Sequence, residues 1–206
     1  TDLTAEQKYP YRPSRTRYND LLHTKLAVGF KPEEKILEGI ATLQLRPYFL
    51  SQDRLTLDAQ GFDIHKVALL NNDSEALLEY EYNGQELEIV LDRSYMRDEN
   101  FFVKIEYTAR PDELESRGSA AITEDKGLYF IGTDSTSLTP KPQQIWTQGE
   151  TQANSCWFPT IDTPNERTTQ EMFITVDTAF QTLSNGVLVY SQYNEDDTRT
   201  DYWKMD

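Results

Sequence analysis

With 206 residues, of which 37% are hydrophobic and 12% aromatic, the chain is long enough to form one domain with a hydrophobic core. Its 35 acidic and 20 basic side chains give a formal charge of -15 at pH 7, which argues against binding to nucleic acids or to anionic membranes. No stretch approaches the roughly 20 consecutive apolar residues of a membrane-spanning helix. We therefore expect a soluble protein, and the cytoplasm, the periplasm and secretion all stay open as its compartment.

The first predicted elements form a β-hairpin, because apolar residues recur at even spacings on both sides of the turn-like segment Pro32-Glu33-Glu34. The residues predicted to share the core face are Leu22, Leu26, Val28 and Phe30 in the first strand and Leu37, Ala41, Leu43 and Leu45 in the second. His23 and Lys25 are predicted on the opposite face of the first strand.

Further segments of period two follow along the chain, and helical periodicity is nearly absent. The predicted strands are 54–58, 62–70, 77–82, 86–91, 100–107, 128–131, 144–148, 170–178, 182–190 and 198–204. Asn83-Gly84 and Asn185-Gly186 suit the positive φ angles of tight hairpin turns. This pattern predicts an all-β protein, either a large curved antiparallel sheet or a β-sandwich, with little or no helix.

The chain is predicted to be organised as one domain with an N-terminal extension. Residues 1–16, which contain two prolines and two arginines, are expected to form an extended arm, and residues 17–206 a single all-β domain. The polar segments 111–127 and 132–143 are predicted loops. Strands resume after each of them, so neither marks a domain boundary.

Self-contained catalytic chemistry is missing from the sequence. A hydrolytic zinc centre needs two histidines one helical turn apart, as in H-E-x-x-H, whereas His23 and His65 lie in separate predicted strands. The nucleophile motif G-x-S-x-G and the phosphate-binding glycine motifs are also absent. The lone Cys156 is expected to be a small buried hydrophobic residue. We therefore predict that this segment alone is inactive and holds no metal.

One block of residues stands out from the strand pattern. Thr147-Gln148-Gly149-Glu150 is followed by Trp157-Phe158-Pro159 and then by Asp162-Thr163-Pro164. This succession resembles the block T-Q-x-[E/Q]-A, spacer, F-P-C-x-D-[E/T]-P, which lies near the end of the N-terminal β domain of M1 family (gluzincin) zinc aminopeptidases of the aminopeptidase N and leukotriene A4 hydrolase type.

Other segments match the same family in the same order and extend the resemblance to about residues 17–190. They are Arg17-Tyr18 with the strand that ends at Phe30, the runs 37–43 and 55–59, Gly127-Leu128-Tyr129-Phe130, and Leu183-Ser184-Asn185-Gly186. The chain also departs from the family pattern. Thr151, Ser155, Thr160 and Thr163 stand where Ala, Arg, Cys and Glu are common. These departures concern the subfamily more than the fold.

The resemblance implies a function for the block. In the family, the residue at the position of Glu150 binds the free α-amine of a peptide substrate, and the residue at the position of Gln148 contacts the first side chain or backbone group. An ionised carboxylate offers acceptors to an ammonium group that only a chain terminus presents. The resemblance also implies a zinc ion, held by a thermolysin-like catalytic domain downstream in the full-length enzyme, and a peptide N-terminus as the partner of this domain.

Several other roles are weighed against this one. Asp162-Thr163-Pro164 is expected to build a turn, with the Asp side chain bonding its own downstream backbone. Trp146, Trp157 and Phe158 are expected to pack in the core or between domains. Two alternative functions stay open: a non-catalytic M1-like interaction scaffold, and an unrelated β-sandwich module that binds carbohydrate through exposed aromatic side chains on one sheet face.

Overall fold

The computed structural model describes residues 15–72, 74–115, 125–133 and 141–206. The strands in this part of the chain are β1 (Asn19–Lys31), β2 (Ile36–Pro47), β3 (Gln52–Asp58), β4 (Phe62–Asn71), β5 (Ser74–Leu77), β6 (Tyr80–Tyr82), β7 (Glu86–Tyr95), β8 (Phe101–Ala109), β9 (Leu128–Ile131), β10 (Gln144–Thr147), β11 (Thr169–Asp177), β12 (Val187–Tyr193) and β13 (Thr198–Met205). Pro111–Glu113 and Asn154–Cys156 each form a short 3₁₀ turn. The predicted all-β class is confirmed. No helix in the described ranges is long and apolar enough to span a membrane.

Eight strands form one large sheet in the order β12-β13-β11-β1-β2-β8-β4-β5. Its neighbouring strands are antiparallel except β1 and β11, which run parallel. The sheet is therefore mixed, which the prediction of an antiparallel sheet missed. A parallel partner cannot arrive through a tight turn, and β11 reaches β1 from far along the chain.

The predicted N-terminal hairpin is confirmed, with β1 and β2 paired along their whole length. The predicted position of Leu22 on the core face is wrong. The register shifts between Leu21 and His23, and Leu21 and Thr24 are the buried residues in this part of β1. A β-bulge adds one residue to one strand, so the side chains before it change face relative to a strict alternation.

Most predicted strands differ from the observed ones only at their ends, but two differ more. The predicted strand 77–82 is divided into β5 and β6, which belong to different sheets. The predicted strand 182–190 begins only at Val187, after Gly186 with its φ of 85°. Residues 1–14 of the predicted arm 1–16 lie outside the described residues, as do 116–124 and 134–140 of the predicted loops 111–127 and 132–143.

The core lies between the large sheet and a three-stranded sheet of order β3-β7-β6. Alternate residues of both sheets enter it, for example Leu43 and Leu45 from β2 and Leu55 and Leu57 from β3, all fully buried. A separate hairpin of β9 and β10 contributes Leu128 and Phe130 to this core. Its far end leads into the block of residues that the sequence singled out.

Candidate functional site

Gln148 lies at the end of the β9–β10 hairpin. Thr147 pairs with Leu128, and the backbone N–H of Gln148 donates to the Gly127 carbonyl over 2.9 Å. Gly127 has a φ of 69°, and any Cβ there would collide with the Ala153 carbonyl. Only glycine fits that combination of backbone angle and close approach without strain. We name the segment 148–164 the 148–164 loop. Through Gly127, the hairpin contacts both the start of this loop and the loop's first turn.

The loop is closed from within by a buried carboxylate. The Asp162 side chain, only 7% exposed, accepts a 2.9 Å hydrogen bond from the Ser155 amide. Burial raises the pKa of the Asp162 carboxyl, and the bonds from Ser155 act in the opposite direction. The expected bond from Asp162 to its own downstream backbone is wrong, because the side chain bonds seven residues back along the chain. Its expected structural role is retained.

The end of β3 fixes the same loop from outside. Asp58 and Thr160 form an antiparallel bridge with backbone bonds of 2.7 and 3.0 Å, and the Asp58 carboxylate accepts from the Asp162 amide over 2.8 Å. Gln60 bonds Ser155 twice, from backbone to backbone at 2.8 Å and from side chain to side chain at 2.9 Å. The sequence reasoning missed Asp58 and Gln60, because contacts across some 100 positions leave no local pattern.

Aromatic packing fixes the middle of the loop. Trp157 and Phe158 are both 7% exposed and belong to the core, whereas Trp146 is 45% exposed and stacks on Tyr129 at 4.6 Å. The buried Tyr107 hydroxyl donates to the Trp157 carbonyl over 3.0 Å. Core packing is thus confirmed for two of the three aromatic residues named from the sequence.

Gly39 provides the space for this contact. A Cβ at Gly39 would collide with the ring of Tyr107, which lies opposite it in the neighbouring strand. An isolated glycine inside a strand pattern signals such a close approach, and it could have been read from the sequence. Gly39 therefore acts on the loop through Tyr107.

Glu150 and Gln148 lie two residues apart on this fixed segment. Glu150 is exposed and Gln148 is half-buried, and the Glu150–Thr151 peptide bond is cis. Among the residues that the structure describes, we find no hydrogen bond or ion pair to the Glu150 carboxylate. The arrangement places an accessible anionic group on a backbone that is tied down on both sides.

The surroundings of the loop are acidic. A cavity of about 280 Å³ lies behind Thr151 and Gln152 and is lined by carboxylates of Asp58, Glu115, Asp125 and Asp162, among other residues. Arg15 partly balances this charge through a 2.6 Å ion pair with Asp58. A local excess of negative charge favours cationic groups over anionic ones.

The two histidines and the cysteine have ordinary structural surroundings. His23 bonds the Thr169 hydroxyl at 2.7 Å and His65 the Thr108 hydroxyl at 2.8 Å. Their strands β1 and β4 are separated by β2 and β8, so the two strands alone lie about 14 Å apart at ordinary strand spacing, and the two histidines are at least that far from each other. Cys156 is buried, as expected. Within the described ranges, no group of three His, Cys, Asp or Glu side chains is arranged to hold a metal ion.

A row of aromatic side chains crosses the outer face of the large sheet, where the carbohydrate hypothesis places a binding platform. Phe173 and Tyr202 stack on each other at 4.5 Å, Tyr190 leans on Tyr202 at 5.2 Å, and Lys25 lies over the Phe173 ring at 5.0 Å. The faces of the two central rings are therefore engaged within the sheet. This geometry is typical of cross-strand stabilisation and leaves little ring surface for a sugar.

Curated proteins with similar sequences carry the name transcription initiation factor TFIID subunit 2. The protein from Danio rerio is 25% identical over 202 residues and that from Gallus gallus 25% identical over 192 residues. These alignments cover 84% and 80% of this chain, and the chain spans only 16% of the length of each relative.

Solved structures with a similar fold are M1 zinc metallopeptidases. That from Deinococcus radiodurans superposes with a TM-score of 0.74 at 17% identity, over 93% of this chain and 40% of its own. A two-domain M1 zinc metallopeptidase variant bound to L-arginine gives a TM-score of 0.73 at 18% identity, with the same coverage. At this identity the likeness establishes the fold alone. The sequence profile described as peptidase M1 N-terminal domain matches residues 15–206, and the chain therefore belongs to that family.

Proposed function

We propose that this chain is the substrate-anchoring N-terminal domain of a zinc-dependent aminopeptidase that removes N-terminal residues from peptides. The observation that carries the proposal is the accessible Glu150 carboxylate on a loop whose backbone is fixed by buried contacts. Because the backbone is already fixed, binding costs only the conformational entropy of the Glu150 side chain, so more of the contact energy is retained.

Glu150 receives the α-ammonium group of the peptide in this proposal. The carboxylate offers acceptors only, and an ammonium group offers donors only, so the two groups are complementary in both charge and hydrogen bonding. An internal peptide nitrogen carries no charge and at most one hydrogen. A charge-assisted bond of this kind contributes about 1.5–3 kcal/mol, which corresponds to roughly ten- to a hundredfold discrimination in favour of a chain terminus.

Gln148 supplies the second contact. Its backbone is fixed by the bond to Gly127, and its half-buried side chain lies two residues before Glu150. An amide offers both a donor and an acceptor, which suits the peptide group or the side chain of the first substrate residue. The two residues together would set the orientation of the substrate N-terminus.

In this proposal, the zinc ion is bound by a part of the enzyme that lies outside this chain segment. The described side chains form no ligand set, so we assign the metal to a catalytic domain in the same polypeptide. When bound there, a zinc ion with an open coordination position activates water for hydrolysis. The share of this chain is to hold and orient the peptide terminus.

Glu150→Ala in the full-length protein tests the anchor. We expect KM for aminoacyl substrates to rise and kcat/KM to fall roughly ten- to a hundredfold, because the substrate ammonium loses its anionic partner. Glu195→Ala is the matched control, since Glu195 is an exposed glutamate in the turn between β12 and β13. Wild-type kinetics for Glu150→Ala would refute the anchoring role.

A second candidate is an M1-like scaffold that mediates interactions without peptidase activity. The observation that favours it is the name of the similar curated proteins, which are subunits of a transcription initiation factor. The zinc content of the full-length protein, together with the presence of H-E-x-x-H and G-x-M-E-N motifs downstream, separates the candidates. A full-length protein that lacks both motifs and purifies without zinc would favour the scaffold.

A further inference from the structure

The two edges of the large sheet differ in a way that points to a partner for one of them. β5 is four residues long, and its Glu75 accepts from Lys104 over 2.8 Å and also pairs with Lys66. A short edge strand with charged side chains is protected against further pairing. β12 lacks charge protection, since residues 186–193 contain no charged side chain although 27% of the chain is charged. Its one irregularity is a register shift between Leu188 and Tyr190, after which Tyr190 to Tyr193 pair regularly with β13.

β12 is also exposed on both of its faces. All seven of its residues are exposed, and its five large apolar or aromatic side chains are between 46% and 71% exposed. Leu188 pairs with the buried Trp203 on the core side, whereas Tyr190 pairs with Tyr202 on the outer side. Apolar surface thus continues from both faces of the sheet onto this edge.

The backbone of β12 is half unpaired. In the described part of the chain β12 bonds β13 alone, so the N–H and C=O groups along its other side have no strand to meet them. Such an edge is a template for one more strand, with main-chain bonds giving affinity and side-chain pockets giving specificity. Its complement is an extended segment with apolar side chains on both faces.

We propose that β12 pairs with an extended segment of the same polypeptide that lies outside these 206 residues. This inference rests on the proposed function in one respect, namely that the chain is part of a longer protein. The solved structures of similar fold support that premise, since this chain spans about 40% of them. A second copy fits less well, because two chains with a formal charge of -15 repel each other, whereas an intramolecular segment needs no encounter.

Hydrogen exchange on the full-length protein tests this pairing. We expect the β12 amides that point away from β13 to exchange as slowly as the interior amides of β13, while the amides of the β5 edge exchange at least about tenfold faster. Because the readout is amide protection, it is independent of Glu150 and of peptidase activity. A failure of the anchoring role would therefore leave this result unchanged.

Val189→Lys disrupts the proposed pairing, and Leu77→Lys on β5 is the matched control, because both residues are exposed edge-strand hydrophobics. We expect Val189→Lys to lower Tm and to increase exchange along β12, and Leu77→Lys to change neither. Val189→Thr covers the case in which lysine prevents folding. Fast exchange of all outward β12 amides in the wild type would overturn the proposal. Protection that appears only at high protein concentration would also overturn it, in favour of a second copy.

Discussion

The 148–164 loop has an irregular backbone and buried side chains, whereas strand β12 has an extended backbone and exposed side chains. The loop contains only a single 3₁₀ turn, yet Ser155, Trp157 and Asp162 are buried and bonded within it. β12 is an extended strand with a single register shift, between Leu188 and Tyr190, yet every residue in it is exposed. In this fold, burial and satisfied polar groups therefore do not follow backbone regularity, and it is burial and satisfied polar groups that oppose local opening.

Trp157→Ala should give the largest effect on this comparison. Removing a buried indole from the core leaves a cavity, and we expect the free energy of unfolding to fall by about 3–5 kcal/mol. Trp146→Ala is the matched control, because Trp146 lies in the same hairpin-and-loop region but is largely exposed. Urea unfolding of both variants measures the difference, and equal losses would mean that the loop is not part of the core.

Gly39→Ala should destabilise the protein by about 1–3 kcal/mol, because the added Cβ displaces the Tyr107 ring and with it the bond to Trp157. Gly29→Ala provides the control in the adjacent strand β1, where a Cβ would meet nothing within 4 Å. We expect that variant to be neutral or slightly stabilised. Similar unfolding midpoints for the two variants would contradict the link between Gly39 and the loop.

Acid should weaken the sheet next to β12 by about 2 kcal/mol through Asp201. Its buried carboxylate accepts hydrogen bonds from Arg199 at 2.8 Å and from the Thr182 hydroxyl at 2.7 Å. The hydrogen bond from the Arg199 guanidinium is the main reason why the Asp201 pKa is lowered to about 2. Because the folded pKa lies below the unfolded value, this stability is complete above about pH 4 and is lost as the pH falls towards 2.

Unfolding free energies measured between pH 5 and 2 check this expectation. Asp201→Asn should flatten the pH dependence relative to the wild type, because no proton is then taken up at that position on unfolding. Asp53→Asn, an exposed aspartate on β3, should leave the dependence as it is. An unaltered slope in Asp201→Asn would show that other carboxylates carry the acid sensitivity.

Local sequence patterns predicted the elements of this fold better than their partners. Even spacing of apolar residues located the β1–β2 hairpin, because each strand has one face towards the core. The same pattern missed the bulge after Leu21, since an extra residue in a strand depends on the pairing of both strands. It also missed the parallel pairing of β1 with β11, which no short-range signal encodes.

The candidate site was predictable in the same uneven way. The residues around Gln148 and Glu150 were located from a family resemblance, and the anchoring role given to them stays a prediction. The contacts that fix the loop come from Asp58, Tyr107 and Gly39, far away in the sequence. Only Gly39 had a local signal, an isolated glycine in a strand. The others depend on the tertiary structure itself.

The central position of β1 has a consequence for how the protein is made. His23 on β1 meets Thr169 on β11 across 146 positions of sequence. At 5–20 residues per second, a ribosome needs roughly 7–30 s to supply the second neighbour of a strand whose first neighbour, β2, follows at once. During that interval one side of β1 is an open edge. Strand β1 lies in the middle of the finished sheet, yet in the nascent chain one of its edges stays unpaired until β11 is made. Until then, that edge depends on other means of protection against aggregation.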